Sequence, residues 1–312
     1  MTSSNHILIT GGAGFLGTSI AKRLLAEETD TRITILDPRV PSELMSEFPG
    51  RILHDSRGVV QFLAEVPNSE YSTLIHLAWT SHPATSMQFP AEDLTANVVG
   101  GVQLLERCAQ LGVQRLIFAS SGGTVYGPLI HPRADELHPT NPISAYGAAK
   151  LSFEHYAQII GMRDGFEVVS LRVSNPYGPY QLQGVAVGSI ANFLLCAKND
   201  KAIAIFGDGS VVRDYINIQD VANAFAMAVN APHLASGPYN VGSGLGKSLN
   251  EVIELIEQVS GKHLVVRREP ARGFDVGRNV LDCSRLNTGI GWRPAISLEG
   301  GIEAMWQSLW DQ

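Results

Sequence analysis

The chain has 312 residues, of which 45% are hydrophobic and 17% are charged. This composition is typical of a globular protein and excludes disordered, collagen-like and coiled-coil chains. The 23 Lys and Arg residues against 30 Asp and Glu residues give a net charge of −7 at pH 7, which disfavours nucleic acid and anionic membrane surfaces as partners.

Apolar runs that alternate with helical patterns predict an α/β fold. The predicted strands are 6–10, 33–36, 73–78, 114–119 and 167–172. The predicted helices between them are 15–27, 58–65, 92–111 and 145–162. Strand and helix alternating at this spacing is typical of βαβ units, so we expect a doubly wound parallel sheet with helices on both faces.

The alternation breaks near residue 175, where turn-rich segments begin. We expect residues 1–174 to form the sheet domain, with late elements near 215–242 returning to it. Residues 175–312 are expected to form mainly a smaller C-terminal α/β domain, with a cleft between the two parts.

Glycines follow the first strand directly, in the run Gly11-Gly-Ala-Gly-Phe-Leu-Gly17. We expect Gly11 to allow a tight turn, Gly14 to admit a pyrophosphate, and Gly17 to let helix and strand pack closely. Phe15 and Leu16 open the helix, whose N-terminus would face the anion. The run predicts a dinucleotide site, with a plain turn as the alternative.

Asp37 stands 20 residues beyond Gly17, at the end of the second predicted strand. A carboxylate at that place can accept hydrogen bonds from a ribose diol, although a simple turn before Pro38 is the alternative reading. Arg39 could meet the 2′-phosphate of NADP, which Asp37 would repel. We therefore expect NAD rather than NADP.

Tyr146 and Lys150 are four residues apart at the start of a predicted helix, so both side chains share one face. The ammonium can stabilise a phenolate and lower the tyrosine pKa towards neutrality, which would make Tyr146 a base. A solvated helix face is the alternative. The segment Ser120–Gly127 directly follows the strand 114–119 and strengthens the catalytic interpretation.

Cysteines and histidines predict neither disulfides nor a metal site. Cys108, Cys196 and Cys283 are far apart, and no HExxH motif occurs among the nine histidines. The N-terminal residues lack the basic region of a signal peptide, and no run reaches about 18 apolar residues. We expect a soluble, cytoplasmic protein without a membrane partner.

Eight ordered motifs together resemble the extended short-chain dehydrogenase/reductase family, and within it the NAD-dependent UDP-hexose 4-epimerases. The motifs are Thr10–Gly17, Leu77–Ala78, Asn97, Ser120–Gly127, Tyr146–Lys150, Leu171–Gly178, Gly207–Tyr215 and Tyr239–Gly242. The resemblance implies a Rossmann-type NAD-binding domain and a nucleotide-sugar-binding C-terminal domain. It also implies a homodimer, for which the helices 92–111 and 145–162 are the expected interface.

The resemblance also implies roles for single residues. Tyr146 would be the base and Lys150 its partner, while Ser121 or Thr124 would hydrogen-bond the reacting hydroxyl. The choice stays open because Gly122-Gly123 stand where epimerases often have Ser-Ala. Further cofactor contacts would come from Asp55, Leu77, Ala78, Ser120 and Asn175.

The resemblance assigns the substrate to a second group of residues. Arg213 and Arg272 would clamp the UDP pyrophosphate, because arginine donates in the fork geometry that phosphates need. The remaining substrate contacts would be Trp79, Ser121, Tyr146, Asn175, Phe206, Asp275 and Asn279. Trp79 replaces a small residue, and a core role is the alternative for Trp79 and Phe206.

The expected reaction is 4-epimerisation of a UDP-hexose through a transient 4-keto intermediate. Epimerases restricted to glucose and galactose carry a tyrosine where this chain has Asn279, so the smaller side chain favours UDP-GlcNAc and UDP-GalNAc, alongside UDP-Glc and UDP-Gal. One alternative is an NADPH-dependent nucleotide-sugar 4-ketoreductase. Arg39 and Trp79 are the two residues that support it. Another is a non-catalytic NAD(P)-sensing regulator, which would not need Tyr146 and Lys150.

Overall fold

The computed structural model describes residues 6–27, 30–66, 71–182, 188–271, 273 and 276–310. The strands are β1 His6–Thr10, β2 Arg32–Leu36, β3 Ile52–Asp55, β4 Thr73–His76, β5 Arg115–Ser121, β6 Glu167–Val173, β7 Asn175–Tyr177, β8 Ile203–Phe206, β9 Val212–Asn217, β10 Gly237–Val241, β11 Gly246–Ser248, β12 Val266–Glu269 and β13 Arg278–Asn279.

Helices connect most of these strands. They are α1 Phe15–Glu27, α2 Ser42–Glu47, α3 Val59–Glu65, α4 Pro83–Gln88, α5 Pro90–Asp93, a π-helical segment Leu94–Val99, α6 Gly100–Cys108, α7 Ala145–Asp164, a 3-10 turn Pro179–Leu182, α8 Ser189–Lys198, α9 Ile218–Asn230, α10 Leu249–Ser260, α11 Ser284–Ile290 and α12 Leu298–Ser308.

Seven strands form one parallel sheet in the order β10-β6-β5-β4-β1-β2-β3. The chain runs outward from β1 to β3 and then returns to build the other half of the sheet from β4. The connections after β1 and β4 therefore diverge, which opens a crevice at the carboxyl ends of these two strands. The expected doubly wound α/β fold is confirmed.

Alternating side chains of the strands bury against helices on opposite faces of the sheet. Ile7 and Ile9 pack with the helices α1 and α9, whereas Leu8 packs with apolar side chains of α3, α6 and α7. Both faces are covered, which is why these short strands are almost continuously apolar.

Two elements differ in detail from the sequence prediction. The strand β3 was not predicted, because its four residues Ile52-Leu-His-Asp55 carry two polar side chains and only Ile52 is buried. The predicted helix 92–111 is instead helical from Pro90 to Cys108 with a π-helical turn at Leu94–Val99.

The later part of the chain contributes to two structural units. The strand β10 pairs with β6 at the edge of the large sheet, and α9 packs on α1. The other late strands form a four-stranded sheet of β7, β9, β11 and β13, and a pair of β8 with β12. A separate apolar cluster, including Ile190, Ile203, Val252 and Ile302, holds these smaller sheets to α8, α10 and α12.

No helix in the described ranges is long and apolar enough to cross a lipid bilayer.

Candidate active site

A cleft of about 540 Å³ lies at the carboxyl ends of β1, β2, β4 and β5. The side chains and backbone around it come from segments far apart in sequence. They are Gly11, Gly14, Phe15, Leu16, Gly17, Leu36, Asp37, Pro38, Arg39, Arg57, Gly58, Val59, Leu77, Ala78, Trp79, Thr80, Ala119, Ser120, Ser121, Tyr146, Lys150, Val173, Ser174 and Pro176. The cleft therefore joins the glycine loop to the Tyr146 and Lys150 pair.

The glycine loop has the backbone that its sequence predicted. Gly11 has φ +73°, and a Cβ there would lie 2.7 Å from the backbone nitrogen of Ala78. A Cβ on Gly17 would lie 2.5 Å from the Cα of Gly12, so this glycine is needed for close packing. A Cβ on Gly14 would meet no protein atom closer than 3.4 Å and would instead occupy the cleft. The loop thus leaves a cradle that suits a pyrophosphate.

Asp37 contacts the glycine loop from the end of β2. Its buried carboxylate accepts hydrogen bonds from the backbone nitrogens of Ala13, at 3.1 Å, and Arg39, at 2.9 Å. The Arg39 guanidinium also pairs with it, at 3.3 Å, while its side chain remains mostly exposed. Asp37 and Arg39 both line the cleft, so a carboxylate and a cation stand together at the place expected for the adenosine ribose.

Asp55 differs from its expected role. Arg57 folds back on it in an ion pair and lowers the pKa of the Asp55 carboxyl. Arg57, rather than Asp55, is among the residues that line the cleft. The sequence feature that indicates this pairing is Arg57, two residues after Asp55, because its guanidinium binds the carboxylate that was expected to face a ligand.

Tyr146 lies in the first turn of α7. The Ser144 hydroxyl caps this helix by accepting from the Gly147 nitrogen at 3.2 Å, and the Tyr146 nitrogen donates to the Ser86 hydroxyl at 2.9 Å. Burial raises the pKa of Tyr146, and the negative charge of Asp93 raises it further. The expected lowering of this pKa by Lys150 is therefore not found.

Lys150 is buried one turn further along α7. Its Nζ donates to the Ala119 carbonyl oxygen at 2.7 Å and lies 3.8 Å from the centre of the Trp79 ring. Burial lowers the pKa of Lys150 to about 7, although Glu154 and Asp93 both act to raise it. The ammonium lies 5.5 Å from the Tyr146 ring centre, so it is close to the phenol but held by other groups.

The hydroxyls of the serine segment have different surroundings. Ser120 is buried and donates to the Glu154 carboxylate, which is itself paired with Arg172 at 2.7 Å. Ser121 lines the cleft. The Thr124 hydroxyl is buried without a hydrogen-bond partner among the described residues, and Thr124 is not part of the cleft wall.

Leu77, Ala78 and Trp79 follow β4 and form the wall between the glycine loop and Tyr146. The Trp79 ring lies edge-on to the Tyr146 ring, with the two centres 6.1 Å apart. It also packs against Phe118 and Phe153. Trp79 is therefore both a core aromatic and a wall of the cleft.

Trp79, Ser121 and Tyr146 line this cleft, whereas the other described residues assigned to the nucleotide sugar, Asn175, Phe206, Arg213 and Asn279, do not. Asn175 donates from Nδ2 to the Asp214 carbonyl oxygen at 3.1 Å, and Arg213 donates to the carbonyl oxygens of Val212 and Val276. Phe206 ends β8. Arg272 and Asp275 lie outside the described residues.

Asn279 also differs from its expected setting. It is fully buried in β13, and its Nδ2 donates to the Gly122 carbonyl oxygen at 2.9 Å. Its Oδ1 is buried and has no hydrogen-bond partner among the described residues.

Within the ranges that the structure describes, no three His, Cys, Asp or Glu side chains are grouped so that they could hold a metal ion.

The chain is similar to known proteins over nearly its whole length. Residues 7–242 match the model of the NAD dependent epimerase/dehydratase family. A dTDP-4-dehydro-6-deoxyglucose reductase of Escherichia coli is 32% identical over 98% of both proteins. A UDP-glucose 4-epimerase of Mycolicibacterium smegmatis is 31% identical over 95% of both. The crystal structure of the Thermus thermophilus UDP-glucose 4-epimerase in complex with NAD is 34% identical, with a TM-score of 0.85 over 97% of this chain and 98% of that one.

Proposed function

The chain belongs to the NAD-dependent epimerase/dehydratase family, and we propose that it interconverts the 4-epimers of a UDP-hexose. One observation carries the proposal: a single cleft is lined by the glycine loop, Ser121, Tyr146 and Lys150. A dinucleotide cradle thereby adjoins an acid–base pair. The UDP-glucose 4-epimerases among its relatives support the same reaction.

The residues of the cleft fit NAD, the cofactor of the family. The glycine loop would hold the pyrophosphate, Asp37 the adenosine ribose, and Lys150 with Tyr146 the nicotinamide end. NAD supplies a reversible hydride acceptor for the sugar carbon.

In the proposed reaction, Tyr146 removes the proton of the sugar 4-hydroxyl and later returns it. The sugar passes through a 4-keto intermediate, which must turn over within the site before C4 is reduced on its opposite face. The role that we assign to Lys150 is that of the nearby cation, with its Nζ 5.5 Å from the Tyr146 ring centre, which would stabilise the phenolate while the substrate and cofactor are bound. Ser121 is the hydroxyl that we assign to the reacting oxygen, because it lines the cleft whereas Thr124 does not.

The UDP end of the substrate is assigned to Arg213 and Arg272, with Asp275 on the ribose, Asn175 on the diphosphate or sugar and Phe206 beside the base. The support is the family resemblance of the segments that carry these residues, and among the described residues Arg213 donates to the Val276 carbonyl oxygen at 2.6 Å.

We further propose UDP-GlcNAc and UDP-GalNAc as substrates, alongside UDP-Glc and UDP-Gal. The support is the size of Asn279 and its hydrogen bond to Gly122 in the serine segment. Because Asn279 is fully buried and is not part of the cleft wall, the side chain would act through its volume, and not by bonding an acetamido group directly.

A nucleotide-sugar 4-ketoreductase is the second candidate. The Escherichia coli reductase supports it, as does the exposed Arg39 beside Asp37, which could meet a 2′-phosphate. The two candidates differ in their use of the cofactor, because an epimerase regenerates its cofactor within each turnover and a reductase consumes it.

We also propose that the enzyme is a homodimer formed through α6 and α7. Three exposed apolar side chains on α7, Tyr156, Ile159 and Met162, are spaced three residues apart. Leu94 and Val99 are exposed on the adjoining helical segment. An apolar face of this kind is typical of a buried protein interface.

One experiment tests the proposed function. The purified protein is incubated with UDP-Glc, UDP-Gal, UDP-GlcNAc and UDP-GalNAc without added cofactor, and the products are followed by NMR. An epimerase converts at least one pair of 4-epimers under these conditions. A protein that instead reduces a 4-keto sugar nucleotide only with added NADPH is the reductase.

A further inference from the structure

Asp93 is a buried carboxylate beside the catalytic pair that the proposed reaction does not use. It ends α5, is 4% exposed, and accepts hydrogen bonds at Oδ1 from the Ser81 hydroxyl and from Asn97 Nδ2, the latter at 2.8 Å. Its Oδ2 is buried and has no hydrogen-bond partner among the described residues. An ionised oxygen in that position needs a counter-charge, because burial of an isolated charge is costly.

Hydrogen bonds connect Asp93 to the wall of the cleft. Asn97 accepts at Oδ1 from the Thr80 nitrogen at 2.9 Å and from the Thr80 hydroxyl at 3.2 Å. Together with the Ser81 bond to Asp93, these contacts fasten the segment Trp79–Ser81 to the helical run that begins at Pro90. Trp79 in turn packs on Lys150 and Tyr146, so Asp93 and Asn97 support the side chain that covers the catalytic pair.

The negative charge of Asp93 affects the pKa of both Tyr146 and Lys150. It raises the pKa of Tyr146 and acts to raise the pKa of Lys150. Glu154 raises the pKa of Lys150 more than Asp93 does, although its carboxylate is shared with the Arg172 guanidinium at 2.7 Å. In the described part of the chain, no ion pair joins Asp93 to a Lys, Arg or His.

Other ionisable groups near α7 do not replace this charge. His76 on β4 is neutral, because burial and, to a smaller extent, the charge of Lys150 together lower its pKa to about 3. Arg115 begins β5 and pairs with Glu167. Glu106 on α6 acts on Arg163, at the opposite end of α7. The residues of α4 and of the π-helical segment include no ionisable side chain.

We propose that Asp93 is a positioning residue of the catalytic centre, which holds the Trp79–Ser81 segment over Tyr146 and adds a buried negative charge, besides that of Glu154, to the surroundings of Lys150. This inference rests on the proposed function of the Tyr146 and Lys150 pair. The same negative charge destabilises the Tyr146 phenolate. Asp93 therefore raises the pKa of both Tyr146 and Lys150.

The sign of the charge predicts the effect of removing it. Asp93→Asn keeps the shape and an acceptor oxygen but removes the charge, so the ammonium of Lys150 becomes less stable and the phenolate of Tyr146 more stable. Both limbs of the pH–rate profile should therefore move to lower pH, by roughly half a unit to one unit. A purely structural defect would lower the rate without moving both limbs in the same direction.

The decisive measurement is the titration of Lys150 by NMR in protein labelled with 13C at the lysine ε-carbon. Lys150→Met identifies the resonance. Asp93→Asn should lower the Lys150 pKa by roughly half a unit or more, whereas Glu92→Gln, an exposed carboxylate on the same helix, should leave it unchanged. Ser81→Ala, which removes a hydrogen bond but no charge, should not lower it.

The outcomes separate the inference from the proposed function. An unchanged or higher Lys150 pKa in Asp93→Asn overturns the proposed role of Asp93, whatever the activity. Absence of epimerase activity in the wild type overturns the proposed function but leaves the NMR titration valid. If Asp93→Asn does not fold, Asp93→Ser removes the same charge with a smaller side chain and is expected to give the same shift.

Discussion

The Lys150 ammonium lies 3.8 Å from the centre of the Trp79 ring and is buried beneath it. A cation over an indole face gains electrostatic attraction, but less than full hydration would supply. Burial of the Lys150 ammonium therefore lowers the stability of the folded protein, as is common for residues that are needed for function.

Lys150→Met should stabilise the protein most at low pH. Lys150 has a pKa of about 7 in the folded protein against an ordinary value of 10.5. Between these values the unfolded chain binds the extra proton, so wild-type stability rises with pH across that window. The variant lacks this dependence, and its gain in Tm over the wild type should shrink by roughly 5 °C or more from pH 6 to pH 10.

Thermal unfolding followed by circular dichroism measures this difference. Lys247→Met is the control, because Lys247 is about half exposed and pairs with Glu251 on the surface. Its Tm difference from the wild type should stay nearly constant over the same range. A Lys150→Met difference that is equally constant would contradict the lowered pKa.

Tyr146→Phe should abolish most of the turnover while preserving the fold and NAD binding. The described cleft wall offers no second phenol, and loss of a general base typically costs about 10²-fold or more in rate. Steady-state rates with the best UDP-sugar give the comparison. Tyr156→Phe, an exposed tyrosine on the same helix, should retain the wild-type rate, and a Tyr146→Phe enzyme with near wild-type kcat would exclude Tyr146 as the base.

Local patterns in the sequence predicted the cofactor end of the cleft well. The glycine loop, Asp37 and the Tyr146–Lys150 spacing each depend on residues close together in the chain, and the structure brings all of them to one cleft. The family resemblance is likewise confirmed.

Contacts between distant segments could not be predicted in the same way. The bonds of Glu154 to Ser120 and Arg172 join residues 34 and 18 positions apart, and no spacing rule indicates them. The pairing of Asp55 with Arg57 depends on how the chain folds back after β3. The hydrogen bond of Asn279 to Gly122 joins residues 157 positions apart.

Asp37→Ala should weaken NAD binding and favour NADP relative to NAD. Loss of a charged acceptor for the ribose diol should raise the Kd for NAD about tenfold. Arg39, released from its pair with Asp37, could then meet a 2′-phosphate. Isothermal titration of both cofactors checks this, and the relative gain for NADP should vanish in Asp37→Ala/Arg39→Ala. A wild type that already prefers NADP would contradict the assignment of Asp37.

Ile159→Glu should convert the proposed dimer to a monomer. A carboxylate in the centre of the exposed apolar face of α7 would be buried without a partner at the interface. Light scattering coupled to gel filtration measures the mass. Val265→Glu changes an equally exposed apolar residue outside α7 and should leave the dimer intact. A wild-type monomer, or an unchanged dimer in Ile159→Glu, would overturn the assignment of this face.

Asn279→Tyr should depress the N-acetylated pair of substrates selectively. The surroundings of Gly122 are already packed, since a Cβ there would lie 2.5 Å from Leu281 Cδ1. We therefore expect a tyrosine at 279 to push the serine segment towards the sugar, so kcat/KM for UDP-GlcNAc and UDP-GalNAc should fall about tenfold or more relative to UDP-Glc and UDP-Gal. Because Asn279 is fully buried, the larger ring also risks overpacking, which typically costs about 1–3 kcal/mol of stability. The ratio of the two kcat/KM values is therefore the readout, since a general loss of folded enzyme lowers both equally. Asn279→Ser, which adds no volume, should keep the wild-type ratio, and an equal effect of Asn279→Tyr on both pairs would show that the space beside Gly122 does not select the sugar.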